Sequence, residues 1–415
     1  MIASRHIAIV LLLLVPTVRA DISPLPGLTL SGDLRERATY VSAIDFDEDA
    51  ADTGWFWTQR IRMNADIGDN SGVHGRISLL SAIQEGIDNS PIQNNHLDIQ
   101  EGYIVLPLGE ADLKIGRQEI MLGSQRLLGT RDGTNVRRNW EGFRLTAPVN
   151  NWELETFGLQ LVQVDSEGSF NDESLHERQL AGVYGTREFA LGGLDLYYMY
   201  SDAKDRVTIE GQADQRRHSV GARLFGEYGS VFWNWEAILQ GGRHGNDEIR
   251  AWTLATNTGY RLSGPWRPEL MLSVNVASGD SDPDDGRLET FDALYPRGNY
   301  FSDLAQLGPA NFFNVNPYLR LQPRDDLSLS LDVNFYWRLE LEDGVYGPPG
   351  NLIRTPDGSR ERFVNTAVSL SLTWEPNPHW QFAVSLAHSQ PEAFIEATGP
   401  ADTANFAEFT ILARL

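Results

Sequence analysis

An all-β, transmembrane antiparallel barrel of about eighteen strands is the fold class this sequence predicts. Three observations point to it. From Leu28 onward, segments of roughly ten residues alternate apolar and polar side chains, the pattern of strands with two unlike faces. The links between these segments alternate short and long, as the two ends of an outer-membrane barrel do. No run of about 18 apolar residues occurs beyond the N-terminus, so membrane-spanning helices are excluded.

In chain order, residues 1–20 read as a secretory signal. Arg5 supplies the positive region, residues 7–15 the apolar core and Val18-Arg19-Ala20 the small-residue cleavage pattern. The mature chain, 21–415, is then expected to be one barrel domain in the outer membrane of a Gram-negative cell. Residues 55–67 set Trp57, Ile61, Met63, Ala65 and Ile67 against Thr58, Arg60, Arg62, Asn64 and Asp66. Residues 327–337 alternate in the same way, as do 267–278 and 380–388. The pattern is weaker over 152–161, 179–186 and 314–322. The final residues, AEFTILARL, make a last alternating strand with Phe409, Ile411, Ala413 and Leu415 on one face.

Short turns are expected at 68–72, 107–110, 149–151, 188–192, 226–231, 262–265, 323–326 and 375–379. Longer, external links are expected at 41–54, 85–96, 119–139, 162–178, 202–216, 241–247, 279–313, 339–363 and 389–404. Tryptophans fall at strand ends, Trp152, Trp233, Trp266, Trp374 and Trp380 by short turns and Trp55, Trp57, Trp140 and Trp337 by long links. They read as two interfacial girdles. The link 279–313 carries Phe291, Leu294, Tyr295, Tyr300, Phe301, Phe312 and Phe313, too much apolar surface to leave in water, and should fold over or into the external mouth.

The stretch 111–148 carries the chemistry. Two half-apolar strands, 111–118 and 142–148, flank the link 119–139, which holds Arg126, Arg131, Arg137 and Arg138 against Glu119 and Asp132 in a protein of formal net charge -23. Strand parity adds Arg35, Arg37, Arg60, Arg62, Arg76 and Arg144 to the polar face that lines a barrel. Guanidinium groups stay charged and pair with carboxylates through two bonds, so this lumen suits anions. The competing reading pairs the arginines with inward Asp33, Asp66 and Asp98, as braces of the wall.

The motifs QRIRMNAD at 59–66, GRQEIMLGSQRL at 116–127 and SGDSDPDDGRLETFDALYP at 278–296, with Asn311 beyond, resemble the alginate export porins of the bacterial outer membrane. The resemblance spans the whole barrel. It implies a monomeric channel whose arginines pass an anionic polysaccharide, with Arg60, Arg62, Arg117, Arg126 and Arg138 facing the bore or its constriction. Glu141, before Gly142, stands where many relatives have aspartate. The alternative is a general or small-solute uptake porin of the same fold.

Other classes find less support. Cysteine is absent, which removes thiolate chemistry and disulfides. The 8 histidines form no zincin or triad pattern, and His74, His218 and His388 sit within strands, so no enzyme is expected. An acidic chain is a poor nucleic-acid binder. No cofactor is expected, apart from a calcium ion that the close spacing of Asp280, Asp282 and Asp284 would suit. That run is not an EF-hand, since Gly286 comes one residue late and Phe291 stands at the twelfth position. The acidic link 41–54 would meet lipopolysaccharide through bridging divalent cations.

Overall fold

The computed structural model describes residues 22–49, 53–69, 72–87, 92–298, 301 and 303–415. The secretory signal expected over 1–20 and Tyr300 of the long link lie outside them. The described chain is a closed antiparallel barrel of 18 strands. In order these are β1 (Leu28–Ser42), β2 (Gly54–Ile67), β3 (His74–Glu85), β4 (Asn95–Leu108), β5 (Ala111–Gln118), β6 (Trp140–Val149), β7 (Trp152–Gln163), β8 (Glu173–Phe189) and β9 (Gly192–Thr208). They continue as β10 (Gly211–Tyr228), β11 (Val231–His244), β12 (Asp247–Arg261), β13 (Glu269–Ala277), β14 (Phe312–Arg324), β15 (Leu327–Trp337), β16 (Phe363–Asn377), β17 (Trp380–Pro391) and β18 (Ala404–Arg414).

Each strand pairs with the next, and β18 closes on β1 in the register Asp33↔Arg414 to Ser42↔Asn405. Closure leaves no unpaired edge, which is what a sheet surrounded by lipid requires. The side chains are inverted relative to a water-soluble protein. On β2 the outward Trp55, Ile61, Met63 and Ile67 are exposed, while the inward Thr58 and Arg60 are buried.

All eight short turns fall where strand parity predicts them. Two of the external links do not. The links expected at 202–216 and 241–247 are strand nearly to their tips, leaving two-residue turns at 209–210 and 245–246. Above the membrane both faces of a strand meet water or polar loops, so the apolar alternation fades while backbone pairing continues. Trp140 is a second departure. It is fully buried inside the barrel, edge-on to Tyr295 at 4.6 Å, and takes no part in a girdle.

The apolar core lies inside the external half of the barrel. Ile120, Leu122, Leu127 and Leu128 of the 119–139 loop pack there with Leu288, Phe291 and Leu294 of the 278–311 loop. Tyr184, Tyr197, Ile238 and Tyr336 of the wall complete it, together with Phe394 and Ile395 of a short helix, α1 (Ala393–Thr398). The 278–311 loop therefore folds into the mouth, as its aromatic content predicts.

Candidate functional site

The 119–139 loop can leave the wall because of glycine. Gly116 on β5 and Gly142 on β6 are directly opposed, both at positive φ (127° and 150°). A Cβ on Gly116 would lie 2.2 Å from the Gly102 carbonyl oxygen. Beyond this point the chain crosses the lumen, and its tip docks on the arginines of β1 and β2. Arg35 donates to the carbonyls of Asp132 (3.1 Å) and Thr134 (2.7 Å), and Arg37 to that of Gly133 (2.6 Å). Arg60 and Arg137 reach the Asp132 carboxylate at 3.5 and 3.2 Å. Burial pushes that carboxyl up, but Arg137, Arg60, Arg35 and Arg37 outweigh it and hold Asp132 below its ordinary value.

The remaining wall arginines lie along the lumen toward the short turns. Arg62 pairs with Asp33 at 2.6 Å, Arg76 with Asp66 at 2.7 Å, and Arg144 with Glu155. Their side chains keep 22, 33 and 24% of their surface, and the partner carboxylates 8, 37 and 10%. Arg117 is placed differently. It shares the outward face of Ile115 and Phe143 and bonds Asp98, Glu141 and the Ile99 carbonyl. There it seals the wall where β5 turns inward. Glu141 thus pairs with Arg117 and accepts from Ser174 at 2.5 Å.

Arg126 and Arg138, both on the crossing loop, have different surroundings. Arg138 is caged by the carbonyls of Gly129 (2.9 Å), Tyr295 (2.5 Å) and Pro296 (3.1 Å), which ties the 119–139 loop to the 278–311 loop. Burial, with Arg131 close by, lowers its guanidinium to about 9, so it remains a cation at neutral pH. Arg126 pairs with Glu236 at 3.2 Å and lines a polar cavity with Ser124, Gln125, Arg223, Asn234, Asn257 and Arg297. Arg223 is braced by Asp195 (2.8 Å) and Asn234 (2.8 Å). Tyr197 supports the same wall, donating to Glu236 at 2.6 Å across Gly221, where any Cβ would collide with its ring.

Arg223 and Arg297 were not singled out from the sequence. Parity offers a signal for Arg223, since its neighbour Leu224 faces outward, but nothing local marks Arg297, which only the folding of the 278–311 loop brings in. Beyond Asn257 the wall continues as amides. Asn275 donates to Asn314 (3.1 Å), Asn314 to Asn334 (3.1 Å), and Asn365 to Ser389 (2.8 Å). These amides stand apart from the paired guanidiniums of β1 to β3, β6 and β10.

The aspartates 280–285 spend their oxygens on turns. Asp280 accepts from the amides of Asp282 (3.2 Å) and Glu289 (3.3 Å), and Asp282 from that of Asp284 (3.3 Å). Among the described residues no three metal-binding side chains converge on one point.

With this geometry in hand, comparison with known proteins is decisive for the family. A family model described as alginate export matches residues 27–408. The chain belongs to this family. This alginate export family protein is an outer-membrane porin channel. No curated protein matches it. Among solved structures it resembles Pseudomonas aeruginosa OccD3 (OpdP), with TM-score 0.67 and 13% identity over 95% of this chain and 93% of that one. It also resembles P. aeruginosa OccK2 (OpdF), solved in complex with glucuronate, with TM-score 0.63 and 12% identity over 94% and 98%. Acinetobacter baumannii OccAB2 gives 0.62 and 12% over 93% and 98%. At such identities the likeness is one of fold.

Proposed function

We propose that this porin is a passive, monomeric channel for anionic solutes, carrying an anionic polysaccharide or smaller acids through an arginine-lined bore without a bound cofactor. The observation that supports this most is the lumenal cavity of Arg126, Arg223 and Arg297. Arg126 pairs with Glu236 and Arg223 with Asp195, and with Arg297 beside them the cluster presents three guanidinium groups to the path. Low-dielectric walls and a narrow lumen strengthen its field relative to the acidic external loops, which salt screens. The amide wall offers hydrogen bonds to hydroxyls, so a uronate unit finds both partners it needs.

Uptake of a small anionic solute is the second reading. It is favoured by the loops that fill the external half of the lumen and by a structural neighbour solved with glucuronate. Planar bilayers test both. Under a salt gradient the wild-type channel should give the anion-selective sign, and Arg126→Ser with Arg223→Ser should weaken it more than neutralising Asp45, Asp47 and Asp49. A cation-selective wild type, or selectivity untouched by the arginine changes, would overturn the proposal. Block by polyuronate chains but not by glucuronate supports a polymer path, and the reverse supports uptake.

A further inference from the structure

The outer wall of β9 to β12 carries charge at a level where the lipid headgroups lie. Register aligns the outward side chains of these four strands in rows. One row runs Tyr198, Val220, Leu239, Trp252; the next Tyr200, His218, Gly241, Arg250; the next Asp202, Arg216, Arg243, Glu248. The first row is apolar, with exposures of 42, 56, 67 and 41%. Two residues further along each strand the outward face has become polar. Val220 stands roughly 23 Å above the turn at 229–230, from a rise of about 3.3 Å per residue and a tilt of about 40°. That matches the height of about 25 Å expected for the apolar band of such barrels. The second and third rows therefore sit in the headgroup layer.

Two features single out the third row. Arg216 and Arg243 are directly opposed on neighbouring strands, both exposed, and an anion held between them would relieve the repulsion that the flanking Asp202 and Glu248 offset only from the sides. The glycines at 241 and 242 add no side chains there, so a groove opens, lined by Asp214, Arg216, His218, Gly242, Arg243 and Gly245. The carboxylates on this face are engaged, Asp202 with Arg216 (3.3 Å), Asp214 with Lys204 (2.6 Å) and Glu248 with Arg250 (2.8 Å). Arg243 donates to the carbonyl of Asn246 at 3.1 Å. His218 meets the Tyr198 hydroxyl through Nδ1 at 2.7 Å, which leaves its other ring nitrogen for the groove.

We propose that this groove is a binding site for the phosphate groups of a phosphorylated glycolipid of the outer leaflet, with its acyl chains lying against the Tyr198 to Trp252 row. Guanidinium pairs suit phosphate oxygens, and the apolar row below supplies the second half of an amphipathic ligand's site. The site faces away from the lumen and does not depend on what the channel carries.

The barrel in mild detergent, with a chelator present to remove bridging cations, is titrated with bisphosphorylated lipid A, dephosphorylated lipid A and inorganic phosphate. Native mass spectrometry reads the bound lipid. Wild type should retain the bisphosphorylated lipid, and Arg216→Ser/Arg243→Ser should weaken retention about thirtyfold, as expected for two headgroup-level cations. Arg243→Gln, which keeps the Arg216 pair with Asp202, should fall between them. Heat-modified migration confirms that each variant is folded. Arg267→Ser, exposed at the opposite end of the barrel, should bind as wild type does. Equal retention by wild type and both groove variants overturns the proposal. So does equal retention of the dephosphorylated lipid, or an equal loss in Arg267→Ser. Inorganic phosphate that competes at the lipid's own concentration would assign the site to free anions and overturn the lipid part.

Discussion

At the scale of single residues, an arginine inside this barrel is defined by what it donates to. Arg126 meets a carboxylate and opens on a cavity, whereas Arg138 donates to three backbone carbonyls contributed by two loops. A buried carbonyl left without a donor costs about 1–3 kcal/mol. Arg138→Met should therefore lower the temperature of heat modification and loosen the 278–311 loop while leaving the reversal potential close to wild type. A reversal potential that moves as far as in Arg126→Ser would make Arg138 a cation of the conduction path. The Arg60 and Asp33 pair, both buried, shows the same dependence on partners. Removing one member of such a pair is more harmful than replacing both, because a lone charge remains in the wall.

At the scale of elements, the tall hairpins and the inward loops meet through acids. Glu210, at the tip between β9 and β10, faces Asp280 of the 278–311 loop. Burial first, then Asp280 and Asp247, push Glu210 up to about 7. Burial, with Asp343 and Glu289 near, pushes Asp280 up to about 6. Both carboxyls hold their protons more tightly folded than unfolded. Their contribution is thus fully present below the ordinary carboxylate range and is lost as pH rises through about 6 to 7. Hydrogen exchange of amides 280–290, corrected for intrinsic rates, should be slower at pH 5 than at pH 8, and Glu210→Gln should flatten the difference. Equal protection at both pH values would show that this contact is not titrated.

At the scale of the whole molecule, the closed sheet is a rigid tube and the loops decide what is left of its bore. The 119–139 loop runs from β5 to the arginines of β1 and β2, so it divides the lumen. Replacing residues 124–137 by a short Gly/Ser link should raise single-channel conductance severalfold and reduce ion selectivity, because the field of Arg126 and the narrowing disappear together. An unchanged conductance would place the constriction elsewhere, in the 278–311 and 338–362 loops.

Strand count, strand parity and the placement of the short turns were legible in the sequence. Lipid outside and a polar lumen inside impose a two-residue period that each strand carries independently of the others. The same parity assigns Arg35, Arg37, Arg60, Arg62, Arg76 and Arg144 to the polar face. The resemblance to the alginate export porins also held, since the family match spans residues 27–408. What each arginine bonds was not legible, because its partner arrives from a loop with no period of its own. Arg35 and Arg37 meet a loop tip nearly a hundred residues away, and Arg126 meets Arg223 and Arg297 only once two loops have packed into the mouth. Only the tertiary structure decided those contacts, since burying the aromatic and aliphatic side chains of the loops inside the barrel selects which charges come together.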